Sequence, residues 1–201
     1  MPYDAPPDLA AMSLSQIAEA VAARKLPPVS TWNPEHVGES EMRIAADGRW
    51  YHQDSPILRP AMVRAFSSLL RREGDGYWLV VPYQKLRIEV EDAPFQAVDV
   101  RQDGGDGGRS GGEPVLSFRL NTDELVVADA DHAIVARGDA DTPALYVTVR
   151  DGLEARLDRS TYAQLAEIAI ARGDEPLAVA SRGVHFPLVP PAPAASTHAR
   201  K

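Results

Sequence analysis

Six basic side chains are the strongest candidates for chemistry in an otherwise acidic chain: Arg59, Lys85, Arg87, His132, Arg150 and Arg156. A guanidinium grips a carboxylate or phosphate through two parallel N–H bonds, and an ammonium offers a point charge. Tyr51, Tyr83 and Phe95 provide ring faces on which a base could stack. His52 stands two residues from Trp50 and joins this set as a strand-borne imidazole. Together they are the candidate binding residues for a small anionic molecule. The competing reading pairs each cation with an acid across a strand.

Signs of catalysis are weaker. A hydrolase would use Glu91 or Asp92 as base and His52 or His132 as acid, with one such pair within hydrogen-bond reach of a common point. Glu89 and Glu91 alternate with Lys85 and Arg87, the pattern of a solvated strand face. No serine sits in a Gly-x-Ser-x-Gly elbow. There is no cysteine, so no thiol nucleophile or thiolate metal site. The histidines at 36, 52, 132, 185 and 198 lack metal-ligand spacing. The run Asp103 to Glu113 holds six glycines but no Gly-Lys-Ser/Thr and no following helix, so it reads as a flexible surface loop. The expectation is a non-catalytic protein with no metal and no cofactor.

Composition bounds the partners. The net charge of −8 argues against nucleic acid, whose binding runs on phosphate neutralisation. No apolar run approaches the roughly 20 residues of a membrane span. The first ten residues are acidic and proline-rich, unlike a signal peptide, which makes a cytoplasmic protein the expectation. A protein partner stays open as the alternative to a small ligand.

The elements that must position these residues centre on 47–92. Asp47-Gly48 is a hairpin signal. Pro60 suits a first helical position, and Val63, Phe66, Leu69 and Leu70 share one helical face, predicting a helix that ends with Arg71 and Arg72 in its last turn and Gly74 as cap. Arg64 is expected to face solvent. Tyr77 to Val81 reads as a strand, and Leu86, Ile88 and Val90 alternate with charges in a half-buried one. Before this stretch, 1–11 read as a tail, Ser13 to Lys25 as an amphipathic helix, and 29–40 as an extended loop anchored by Trp32.

The second half repeats the alternation. Strands are expected at 96–100, 115–120, 125–128, 133–136, 145–149, 153–157, 177–180 and 184–186. A helix follows from Arg159 to Arg172 with Gly173 as cap. A two-residue Asp151-Gly152 turn would set Val149 against Glu154. A three-residue loop, Arg150-Asp151-Gly152, is therefore expected, with Gly152 in the left-handed region. The two helices match at an offset of 99: Val63, Phe66, Leu69, Leu70 and Gly74 against Tyr162, Leu165, Ile168, Ala169 and Gly173. This suggests a duplicated unit of hairpin, helix, cap and strand.

Several segments carry a resemblance: Asp47 to His52, Ser55-Pro56-Ile57, Tyr77 to Val80 with Pro82, Lys85 to Phe95, and Val149 to Leu157. On these the chain resembles the bacterial domain-of-unknown-function family 1285 over roughly residues 30–190. The resemblance implies an α+β fold of two tandem related domains, the C-terminal half superficially like a pleckstrin-homology fold. It also implies a nucleotide-like ligand between the domains, near the basic set above, and a signalling role. The segment before the first hairpin would be a covering strap. The expected division is 1–28 tail and helix, 29–102 first domain, 103–113 glycine-rich loop, 114–187 second domain and 188–201 tail. Each domain is expected to be a small antiparallel sheet packed on a helix. The alternative function is a protein-interaction scaffold.

Overall fold

The computed structural model of the protein describes residues 27–105 and 112–191. The tail at 1–11, the helix expected at 13–25, the centre of the glycine-rich loop and the last ten residues lie outside the described residues. After a 3₁₀ turn at Val29–Thr31 come β1 (His36–Ile44), β2 (Trp50–His52), β3 (Ser55–Pro56), α1 (Pro60–Ser67), β4 (Leu70–Glu73), β5 (Gly76–Val81) and β6 (Gln84–Val90). The second half contributes β7 (Phe95–Asp103), β8 (Val115–Leu120), β9 (Leu125–Val127), β10 (Ile134–Gly138), β11 (Pro143–Arg150), β12 (Leu153–Leu157), α2 (Arg159–Arg172), and the hairpin of β13 (Ala178–Ser181) and β14 (Val184–Pro187).

The two tandem domains are each built on a curled six-stranded sheet, β3-β2-β1-β6-β5-β4 and β10-β11-β12-β7-β8-β9. Numbered from its own first strand, each sheet has the same order, with the third and fourth strands at the edges. The first and sixth strands lie side by side and parallel in both, His36 opposite Gln84 and Phe95 opposite Ala155. The sheets are therefore mixed, not antiparallel as expected. The repeat is also not the one suggested by the helices. Helix α1 falls between the third and fourth strands of its sheet, whereas α2 follows the sixth strand of the other.

Three local expectations are corrected for one reason: strand pairing, whether with a neighbour or a distant strand, outweighs local periodicity. The first helix stops at Ser67, because Leu70 to Glu73 pair with Gly76 to Leu79 as a hairpin. Gly74, at φ 57°, serves that hairpin turn and does not cap a helix. The expected loop at 29–40 gives way at His36 to β1, whose parallel partner begins at Gln84. The β11–β12 turn has two residues, Asp151 and Gly152, both at positive φ (45° and 74°) as a type I′ turn requires. The clash of Val149 with Glu154 is avoided by a bulge instead: Thr148 faces Glu154 and Arg150 faces Leu153, leaving Val149 as the extra residue. Val149 and Leu153 both stay buried.

Other elements match their signals. Asp158 caps α2, accepting a bond from the Thr161 N–H at 2.8 Å, and Gly173 ends it at φ 76°. Leu165 and Ala169 are the buried face of α2. One apolar cluster runs through both domains, joining Ile44, Trp50, Leu70 and Ile88 to Phe95, Leu116, Phe118 and Leu153. Among the described residues no helix is long and apolar enough to cross a membrane.

Candidate functional site

The curled first sheet leaves a pocket of about 620 Å³ between its inner face and α1. Strand alternation decides which side chains line it. Leu79 opposes Leu86 and Val81 opposes Gln84 across β5 and β6, while Met42 opposes His52 across β1 and β2. Ser40 and Met42 share the β1 face. Met62 and Phe66 of α1 and the connection Ile57-Leu58-Arg59 close the far side. Phe66 stacks on buried Trp50 with ring centroids 6.3 Å apart, which ties α1 to the core. Gly38, opposite Leu86, leaves room for it: a Cβ there would lie 3.1 Å from Leu86 Cδ2.

Polar groups at this pocket are few. The Ser40 hydroxyl is already used, donating to the Arg87 carbonyl at 2.6 Å and accepting from the Met42 N–H at 3.1 Å. His52, Ser55, Arg59 and Gln84 make no side-chain hydrogen bond or ion pair among the described residues. His52 faces Ser55 across the β2–β3 ladder, and Arg59 follows four residues later at the N-cap position of α1. Leu58, 82% exposed, and Met62, 39% exposed, border the same opening.

The remaining basic candidates lie elsewhere, and all but Arg87 are already paired. Lys85 Nζ lies 2.6 Å from Glu73 and 4.8 Å over the Trp78 ring, on the outer face of the first sheet. Arg71 also binds Glu73. The Lys85 hydrogen bond foremost, against some burial cost, holds the Glu73 carboxyl below its ordinary range. Arg87 is exposed at a shallow depression lined with Glu39, Glu41, Glu89 and Tyr51. The Arg43 guanidinium covers the Tyr51 ring at 4.5 Å. Tyr83 is 73% exposed on the turn between Val81 and Gln84.

At the domain boundary, Arg150 Nη1 meets both Glu124 oxygens at 2.9 and 2.8 Å, and its Nη2 donates to the Ser67 carbonyl at 2.9 Å. Its guanidinium also sits 5.0 Å over Phe95, a ring with 0% exposure that has no free face for a base. Arg156 binds Asp92 at 2.6 Å, and the Tyr146 hydroxyl donates to the same carboxylate at 2.8 Å. Burial first, and that bond second, push the Tyr146 phenol upward. Arg64 does not face solvent: it reaches Asp123 of the second domain at 2.6 Å. The seam between the domains is thus closed by internal pairs, and the ten candidates do not gather in one cleft there. Only His52 and Arg59 line the pocket of the first domain.

The hydrolase pairs do not form. Glu91 is bound by Arg43 and by the Ala46 N–H at 2.9 Å. Asp92 is occupied as described, and His132 Nδ1 lies 3.0 Å from Asp129 in its own turn. Burial raises Asp129, but the hydrogen bonds from the His132 ring, the His132 N–H and the Asp131 N–H together leave its carboxyl below the ordinary range. No group of three or more His, Asp or Glu among the described residues could hold a metal ion. Leu58, Met62, Leu79, Val81 and Leu86 were missed as site residues because each reads locally as ordinary core or helix face. The one available signal was Arg59 beside Pro60, a cation held at a helix start.

Comparison with known proteins places both halves in one family. Residues 27–93 match the model described as "Domain of unknown function (DUF1285), N-terminal domain". Residues 94–188 match "Protein of unknown function (DUF1285), C-terminal domain". The crystal structure of a DUF1285 family protein from Silicibacter pomeroyi DSS-3 is 39% identical, with a TM-score of 0.71 over 90% of this chain and 96% of that one. Another, from Shewanella baltica OS155, is 24% identical, with a TM-score of 0.48 over 63% of this chain and 90% of that one. No curated protein matches the chain.

Proposed function

We propose a function for a chain that belongs to the DUF1285 family: it is a non-catalytic module that binds a small anionic ligand in the pocket of its first domain. The observation that carries this is the pairing of an apolar pocket of about 620 Å³ with Arg59 and His52 unpartnered at its edge. Pockets of this size and character, apolar with a few convergent polar groups, are where small ligands bind. The boundary between the domains supports a ligand less well, since Arg150 and Arg156 are already neutralised there. The reading treats the protein as cytoplasmic. A signalling role follows if occupancy changes the surface around Leu58 and Met62.

A thermal-shift screen tests it, run with nucleotides, sugar phosphates, dicarboxylates and monocarboxylates. A ligand bound only by the folded state stabilises it by about 2.7 kcal/mol at a hundredfold excess over Kd. For a chain of this size that is a rise in Tm on the order of 5–10 °C. Arg59→Ala should reduce the shift and Arg87→Ala should not. No shift with any anionic class would overturn the reading.

The second reading is a protein-interaction scaffold, in which a partner segment docks on the first domain. The exposure of Leu58 and Met62 beside an apolar groove favours it, since such patches serve partner helices or strands.

A further inference from the structure

We infer that the pocket of the first domain takes a monocarboxylate with an apolar tail, a conclusion that rests on the binding reading above and narrows it. The walls are mainly Met42, Phe66, Leu79, Val81 and Leu86, and the single Gln84 amide among them is too little to match the several hydrogen-bonding groups of a sugar, a base edge or a phosphate chain. Phe66 is the one aromatic ring other than His52 in the lining, and it already stacks on Trp50 at an interplanar angle of 21°. A base would find no pair of rings to enter. A flexible hydrocarbon tail needs only the apolar wall, which gains free energy with each methylene removed from water.

The charge of the ligand follows from the lining. Arg59 is the one residue of the lining with a permanent charge, and no acid on the described surface neutralises it. A single guanidinium fork matches a single carboxylate through two parallel bonds. A nucleotide's further negative charges would face no second cation, inside a protein of net charge −8. The same net charge opposes docking of this face on an anionic membrane, so the ligand is a free molecule. His52 and Ser55, opposite one another in the β2–β3 ladder just before Arg59, add donors at the same end. Leu58 beside them extends the apolar wall into solvent, where it would meet the first carbons of the tail.

The test uses the full chain and decanoate below its micellar concentration, with decan-1-ol, decyltrimethylammonium, AMP and anionic phosphatidylglycerol vesicles as comparisons. Thermal shift and tryptophan fluorescence are read together, since Trp50 lies directly behind Phe66. Saturable decanoate binding is expected, with weaker binding of decan-1-ol and none of AMP or decyltrimethylammonium. Arg59→Gln should weaken decanoate about tenfold, as loss of a charge-assisted bond does, and leave decan-1-ol unchanged. Leu58→Asp should weaken both. Both positions are exposed, so neither variant should disturb folding, which circular dichroism checks. Binding of AMP without decanoate would overturn the ligand class and leave the binding reading standing. Equal binding of the cationic and anionic amphiphiles, or association with vesicles without saturable decanoate binding, would also overturn it. No binding of anything would overturn both.

Discussion

Arg150 and Glu124 form a two-bond pair at 2.9 and 2.8 Å, and Arg150 also holds the carbonyl of Ser67 at the end of α1 in the other domain. The side chains are only 14% and 8% exposed. Removing one partner of a buried pair strands the other charge, which costs about 3–5 kcal/mol. Arg150→Ala should therefore destabilise the protein by about 3 kcal/mol in urea unfolding. The double variant Arg150→Met with Glu124→Leu should recover much of that loss. A loss below about 1 kcal/mol for Arg150→Ala would show that the pair is not holding the domains.

Gly48 is the second tie between the domains. Its φ is 80°, and a Cβ there would lie 2.5 Å from Gln96 Cγ and 2.9 Å from Asn121 Nδ2. Those two side chains bind the first domain in return, Gln96 to the Ala46 carbonyl at 3.1 Å and Asn121 to the Gly48 carbonyl at 3.4 Å. Gly48→Ala combines a left-handed backbone penalty of about 1–2 kcal/mol with that clash. The expected loss exceeds the penalty alone. Gly173→Ala, at φ 76° with nothing within 4 Å of its Cβ, isolates the backbone penalty and serves as the comparison in denaturant melts.

Glu73 gives a pH dependence of definite sign. Its hydrogen bond to Lys85, aided by Arg71, lowers its folded-state pKa below the unfolded value of 4.5. As pH falls below that value, the unfolded chain takes up a proton that the folded protein refuses. The stability from this group is therefore fully present above the unfolded pKa and is lost as pH falls through the folded one. Comparing urea midpoints at neutral and acid pH for the wild type and Glu73→Gln should show a shallower acid loss in the variant. An identical acid limb in the two would contradict the pairing.

How far these elements were readable depended on how local their causes are. Helix α2 carries its N-cap Asp158, its apolar face and Gly173 within one short stretch, so its limits could be read from sequence. Leu69 and Leu70 continue the helical spacing and so extend the expected helix past the end of α1, while the reason they leave the helix is strand β5. The parallel pairing of β1 with β6 has no local sign, so His36 to Ser40 read as loop. The residues of the site suffered similarly. Arg150 and Arg156 looked available because their partners Glu124 and Asp92 stand far away in sequence. Arg59 is legible as a cation, but the pocket beside it is made by strands on either side of it in the chain.

The hairpin that replaces the end of the first helix gives the last prediction. A helix through 60–72 would put Leu69 and Leu70 together on one buried face. In β4, Leu70 is 1% exposed opposite Leu79, while Leu69 precedes the strand, half-buried at the pocket wall. The two leucines therefore separate by role. Leu70→Ala should open a core cavity and cost about 2–5 kcal/mol. Leu69→Ala should cost less, because its side chain already borders open space, and should change ligand binding more than stability. Urea unfolding of both variants, with decanoate titration of each, measures the contrast. Equal destabilisation by the two substitutions would favour the continuous helix, and with it a different wall for the pocket.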